Sequence, residues 1–112
     1  MGKKPSLPKG SIPVSAELIR QMFNDGGYFK MVEAGRLMET VVETRHPSAP
    51  LAPVPYCTES QGVEYRRKDG TEVAYVHQYL KPNGKLGASG MPDPKRLLHD
   101  GKHYHVIPGK IR

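Results

Sequence analysis

The sequence predicts an α+β domain in which an N-terminal helix packs on a small antiparallel β-sheet built from hairpins. Apolar residues with helical spacing and matching end signals occur at residues 15–25. Segments in which apolar and polar residues alternate flank two Asp-Gly dipeptides, Asp69-Gly70 and Asp100-Gly101. The 12 glycines and 11 prolines among 112 residues favour many turns over long helices. A chain of this length suits one domain, which we place at residues 13–112.

Residues 1–12 are predicted to form a flexible basic tail. The segment contains three lysines and no acidic residue, and Pro5 and Pro8 interrupt it. It offers too little apolar surface to offset the entropy lost on ordering.

The helix predicted at residues 15–25 has a start and an end that the sequence explains. Ser15 is a good N-cap and Glu17 places a negative charge in the first turn. Asn24 to Gly27 tolerate the left-handed conformation that ends many helices. One side of the helix is apolar, with Leu18, Ile19, Met22 and Phe23.

Residues 28–45 allow two interpretations. Their apolar residues roughly suit a helical stripe, whereas residues 33–36 suit the turn of a hairpin. We favour a strand at 37–45 because valine and threonine are frequent there. Prolines at 47, 50, 53 and 55 then predict an extended connector.

Asp69-Gly70 predicts a hairpin with a two-residue loop and therefore a register over residues 62–80. Lys68 would lie opposite Thr71, Arg67 opposite Glu72 and Arg66 opposite Val73, with Tyr65–Ala74, Glu64–Tyr75 and Val63–Val76 continuing the pairing. One face is then a core face, holding Val63, Tyr65, Ala74, Val76 and Leu80. The other face is basic and aromatic, holding Glu64, Arg66, Lys68, Thr71, Val73, Tyr75, His77 and Tyr79.

Two further reversals are predicted downstream. Residues 81–85 have the proline and Asn-Gly chemistry of a turn, which would return the chain into residues 85–89. Asp100-Gly101 predicts a hairpin with His99 opposite Lys102, Leu98 opposite His103 and Leu97 opposite Tyr104. The alternative at this place is a two-turn helix that starts at Asp93 and ends at Gly101.

The charge of the chain is +6 and is unevenly distributed. Residues 11–60 contain four basic and six acidic residues, whereas residues from 61 onward contain ten basic and five acidic ones. The single cysteine, Cys57, excludes an internal disulfide, and neither a signal peptide nor an apolar run of about 20 residues is present. We therefore expect a soluble cytoplasmic protein without a membrane partner, a metal or a cofactor.

The basic and aromatic face predicts binding of nucleic acid, with single strands or RNA preferred. Aromatic rings on a sheet can stack on bases while cations contact phosphates. The expected binding residues are Arg66, Lys68, Tyr75, His77, Tyr79, Lys85, Lys95 and Arg96. The alternative is that the sheet is covered on both faces and the tyrosines belong to the core.

Three other hypotheses concern the histidines and the basic face. His77 could serve as the catalytic residue of a metal-independent RNase or toxin-like nuclease, with companions among His103, His105, Arg66, Lys85 and Arg96. A zinc site could use His103 and His105, with Cys57, His77 or His99 completing it, but it lacks a recognised ligand spacing. A non-catalytic adaptor could dock an acidic protein partner on the basic face.

Overall fold

The computed structural model describes residues 9–45, 59–87 and 90–107. Over these residues the chain forms the elements β1 (Ile12–Val14), α1 (Ala16–Asp25), α2 (Tyr28–Glu33), β2 (Met38–Arg45), β3 (Glu59–Arg66), β4 (Glu72–Leu80), β5 (Asp93–His99) and β6 (Lys102–Val106). The α+β prediction is confirmed. Within the described part of the chain, no helix has the length and apolar character needed to cross a membrane.

The strands form one six-stranded sheet in the order β1-β6-β5-β4-β3-β2. All neighbouring strands are antiparallel except β1 and β6, which are parallel. Ile12 lies opposite Tyr104 and Val14 opposite Val106, so the first strand begins within the range predicted to be a tail. Residues 1–8 and the proline-rich connector at 47–55 lie outside the described residues.

Helix α1 confirms the prediction for residues 15–25. The Leu18 N–H donates a hydrogen bond of 3.1 Å to Oγ of Ser15, which satisfies one of the free donors at the helix start. After the helix, Gly27 takes a left-handed conformation with φ 69°. The chain then begins the short helix α2, so residues 28–45 are neither one helix nor a hairpin, and the strand favoured at 37–45 is confirmed by β2.

The core lies between α1 and one face of the sheet. Ile19 and Phe23 of α1 are fully buried, and the Phe23 ring centroid lies 6.0 Å from that of Tyr65 on β3. The predicted core face is confirmed for Val63, Tyr65, Ala74 and Val76, whereas Leu80 is half-buried.

The hairpin at Asp69-Gly70 is present, but part of its predicted register is wrong. Arg66 lies opposite Glu72 and not Val73, because a bulge interrupts the pairing after Tyr65–Ala74. The predicted pairs Arg67–Glu72 and Lys68–Thr71 are wrong for the same reason, and the Arg67 N–H donates to the Thr71 carbonyl instead. Gly70 takes the left-handed conformation with φ 92°, whereas Asp69 does not, as in a type I turn followed by a left-handed glycine. In this longer loop Asp69 does not need a left-handed backbone conformation. The prediction that Val73 lies on the basic face is wrong, because Val73 packs in the core.

The hairpin predicted at Asp100-Gly101 is confirmed with its full register, since residues 97, 98 and 99 lie opposite 104, 103 and 102. Asp100 and Gly101 both have positive φ, 52° and 76°, as a type I′ turn requires. The alternative helix starting at Asp93 is wrong, because these residues form β5.

The turn predicted at residues 81–85 is confirmed by its backbone hydrogen bonds. The Gly84 N–H donates to the Lys81 carbonyl over 2.9 Å, and the Lys81 N–H donates to the Lys85 carbonyl. Beyond the turn the pairing is an isolated bridge between Leu80 and Leu86. The returning segment is thus not a strand over residues 85–87, and residues 88–89 lie outside the described chain.

Tyr65 carries a buried hydroxyl that has no hydrogen-bond partner among the described residues. A buried polar group without a partner costs about 1–3 kcal/mol. Tyr65→Phe removes this group while keeping the ring, so we expect it to raise the free energy of unfolding by about 1 kcal/mol. Urea denaturation measures the change, and a loss of stability would show that the hydroxyl has a partner.

Candidate nucleic-acid interface

The sheet face opposite the helices carries polar side chains that contact one another. Nη2 of Arg96 lies 3.1 Å from a carboxylate oxygen of Glu72. The guanidinium carbon of Arg96 lies 4.8 Å from the centre of the Tyr75 ring, a cation–π contact. The Tyr75 hydroxyl donates a hydrogen bond of 3.3 Å to Glu43. Tyr75 and Arg96 are 6% and 9% exposed, so both are buried on a face predicted to be open.

Carboxylates neutralise the arginines of this polar cluster, formed by Glu43, Glu64, Arg66, Glu72, Tyr75 and Arg96. Arg66 forms an ion pair of 2.8 Å with Glu64, which is itself buried. Burial raises the pKa of Glu72, and the charge of Arg96 partly offsets that rise. Burial, followed by the charge of Glu43, likewise raises the pKa of the Tyr75 hydroxyl. The polar cluster is therefore a paired network and not a free cationic surface.

Gly62 explains how Tyr75 fits into this cluster. Gly62 lies on β3 opposite His77. A Cβ atom at position 62 would overlap the Tyr75 hydroxyl. The absence of a side chain at Gly62 thus gives the ring room to reach Glu43.

A separate groove of about 740 Å³ lies where β4, β5 and α1 meet. We call it the His77 groove; its lining includes Arg20, His77, Tyr79, Asp93 and Lys95. The rings of His77 and Tyr79 meet edge to face, with centroids 4.9 Å apart and planes at 84°. A hydrogen bond of 2.7 Å joins Oγ of Ser60 and Nε2 of His77.

Asp93 organises the charges of the His77 groove. Its carboxylate lies 2.9 Å from Nζ of Lys95 and 3.6 Å from a guanidinium nitrogen of Arg20. Both contacts are partly exposed to solvent, where such pairs are weak and screened by salt. Two cations in the lining of the groove therefore share one carboxylate.

The structure separates the predicted binding residues into different places. His77, Tyr79 and Lys95 line the His77 groove. Lys85 lies in the neighbouring turn, which is held to the groove because the Gly87 N–H donates to the Tyr79 carbonyl over 2.8 Å. Lys68 is exposed in the hairpin loop. The remaining predicted residues, Arg66, Tyr75 and Arg96, belong to the polar cluster.

Arg20 is one of the groove residues that the sequence interpretation missed. It lies on α1, where only the apolar side was used for prediction. Arg20 and Asn24, which also lines the groove, are four residues apart and so share one face of the helix. That spacing was the available sign of a second, polar contact surface on α1.

Two of the histidines on the other strands have partners of their own. His105 on β6 forms a hydrogen bond of 2.7 Å with Ser11, and His99 forms one of 2.8 Å with the Tyr28 hydroxyl. Cys57, weighed as a zinc ligand, lies outside the described residues. In the ranges that the structure describes, no group of three or more histidine, cysteine or acidic side chains could hold a metal ion.

The His77 groove thus combines a tyrosine ring of defined orientation with basic side chains. Aromatic rings beside cations suit a flexible polyanion whose bases are unpaired. Comparison of the chain with family models, with curated proteins and with solved structures finds no match.

Proposed function

We propose that the protein binds single-stranded nucleic acid, RNA in preference, in the His77 groove. The observation that carries the proposal is the edge-to-face pair of His77 and Tyr79 beside Lys95 and Arg20. Stacking on an aromatic ring gives affinity for unpaired bases of any type, and nearby cations contact the phosphates. We place this activity in the cytoplasm, in keeping with the single cysteine of the chain.

The orientation of the Tyr79 ring supports base stacking. Tyr79 is half-buried, and its ring rests against His77, which is in turn held by Ser60. A ring already held in one orientation loses little entropy when a base stacks on it. By contrast, Tyr75 could stack on a base only by leaving Arg96 and Glu43.

The charges around the groove support phosphate contacts. A phosphate that approaches Lys95 and Arg20 competes with one partly exposed carboxylate, that of Asp93. Lys81 and Lys85 add two further cations in the adjoining turn. Recruiting Arg66 or Arg96 would instead break ion pairs to buried or half-buried carboxylates, which is costly. We therefore assign the phosphate contacts to the groove and its turn.

Salt dependence is the test of this proposal. With about four phosphate contacts, the logarithm of the affinity for a fluorescein-labelled oligouridine should fall with the logarithm of salt concentration at a slope near −3. Lys85→Ala should make the slope shallower by about 0.7. Tyr79→Ala should cost about 1–3 kcal/mol of binding free energy at an unchanged slope. Fluorescence anisotropy titrations at several salt concentrations measure the slope of the parent protein, the slope of Lys85→Ala and the affinity of Tyr79→Ala.

Lys30→Ala provides the matched control, because Lys30 is an exposed lysine on α2 and does not line the groove. It should leave both affinity and slope as in the parent protein. If Lys30→Ala and Lys85→Ala have equal effects, the binding is non-specific. If no binding occurs at about 50 mM salt, the proposal fails and an acidic protein partner becomes the better hypothesis for the basic surface.

The nuclease hypothesis is the alternative that depends on His77. RNA cleavage needs an acid and a base within hydrogen-bond reach of one phosphate. His103 and His105 lie on β6, two strand spacings or about 10 Å from β4, and His77 is the one histidine among the groove residues. We therefore do not assign His103 or His105 as the second catalytic group beside His77. Incubating the oligouridine with parent protein and with His77→Ala, followed by electrophoresis, tests it directly.

A further inference from the structure

A second cavity, of about 440 Å³, lies between α2, the start of β2 and the turn that follows β4. Its lining includes five apolar side chains, Phe29, Val32, Leu37, Leu80 and Leu86. Glu33 and Glu39 contribute the acidic part of the lining. The volume falls within the range of roughly 300–1,000 Å³ that is usual for ligand pockets. We call it the acidic cavity.

The two carboxylates of the acidic cavity differ from those of the polar cluster. Glu64 and Glu72 each face an arginine. Glu33 and Glu39 are exposed, and neither forms an ion pair or a hydrogen bond with another described residue.

The charges of Glu33 and Glu39 also act on Tyr65, which lies buried in the core. Burial, and after it the charges of Glu39 and Glu33, raise the pKa of Tyr65. The Tyr65 hydroxyl is fully buried. Because Glu33 and Glu39 are themselves exposed, their attraction for a bound cation should have the modest size of a surface ion pair.

We propose that the acidic cavity binds an organic cation with an apolar body, of the alkylammonium class. The apolar body would displace water from the leucine, valine and phenylalanine side chains. The cationic head would lie near Glu33 and Glu39, which are the charged side chains among the described residues of the lining. This site borders the His77 groove, with which it shares Gln78, but it does not depend on the proposed nucleic-acid binding.

Three probes with the same chain and different heads test the proposal, namely octylammonium, 1-octanol and octanoate. Titration followed by two-dimensional NMR should give the tightest binding for octylammonium, about threefold to tenfold tighter than for 1-octanol. Octanoate should bind more weakly than either. The amide signals that shift most should be those of Val32, Leu37 and Leu86. Equal affinities for the three probes, or shifts confined to other regions, would overturn the proposal.

Neutralising the carboxylates separates charge recognition from apolar packing. The double substitution Glu33→Gln and Glu39→Gln should reduce octylammonium affinity to that of 1-octanol and leave 1-octanol binding unchanged. Glu17→Gln is the matched control, since Glu17 is an exposed carboxylate of α1 outside the cavity. An unchanged octylammonium affinity in the double variant, with an unchanged thermal midpoint, would reject a role for the two carboxylates.

Discussion

Phe23→Ala is expected to lower the free energy of unfolding by about 3–5 kcal/mol. Phe23 is fully buried, and its ring centroid lies 6.0 Å from those of Tyr28 and Tyr65. Truncation would leave a cavity between α1 and the sheet that neither tyrosine can fill without leaving its own contacts. Urea denaturation followed by circular dichroism measures the loss.

Leu18→Ala is the control for Phe23→Ala. Leu18 lies on the same helix but is 44% exposed, so its truncation removes little buried surface. We expect a cost below about 1 kcal/mol. If the two substitutions cost the same, then Phe23 does not hold α1 to the sheet as described.

Arg96→Met is expected to cost about 3–5 kcal/mol at neutral pH. The side chains of Arg96 and Glu72 are only 10% and 24% exposed. Methionine preserves most of the apolar stem but leaves the Glu72 carboxylate without its cation and removes the contact with the Tyr75 ring. The loss is therefore electrostatic more than steric. Adding Glu72→Gln should recover a large part of it, because the uncompensated charge is then gone.

The pH dependence of Arg96→Met follows from Glu72. Burial raises the pKa of Glu72 in the folded protein, and Arg96 opposes this rise, so the substitution should raise the pKa further. When the pKa of an acid is higher in the folded than in the unfolded protein, its protonation favours folding. This contribution is complete below the unfolded pKa, near 4.5, and is lost as the pH rises through the folded pKa. The difference between parent and variant should thus shrink as pH falls from 7 toward about 4. A difference independent of pH would show that Glu72 is not the source of the loss.

The candidate site could be predicted in part. His77 and Tyr79 share a face because alternate strand residues do, and the structure brings their rings together. Lys95 joins them through the pairing of β4 with β5, where His77 lies opposite Asp93. The spacing of Arg20 and Asn24 indicates a polar face of α1, but the contact of Arg20 with this groove could not be predicted, because it depends on how α1 packs across the sheet. Nor could the partners of Arg66 and Arg96 be predicted, since the sequence does not show which carboxylates an arginine will meet.

The sequence by itself determined the elements whose cause is local. Ser15 and Gly27 delimit α1, and Asp100-Gly101 sets the register of β5 and β6, because capping and type I′ turns depend on a few adjacent residues. The same dipeptide at Asp69-Gly70 forms a longer loop followed by a bulge, and in this register Val73 is buried in the core. Tertiary structure alone decided the parallel pairing of β1 with β6 and the burial of Arg96 against Glu72 and Tyr75. These contacts join distant parts of the chain, and their free energy comes from packing that no short segment contains.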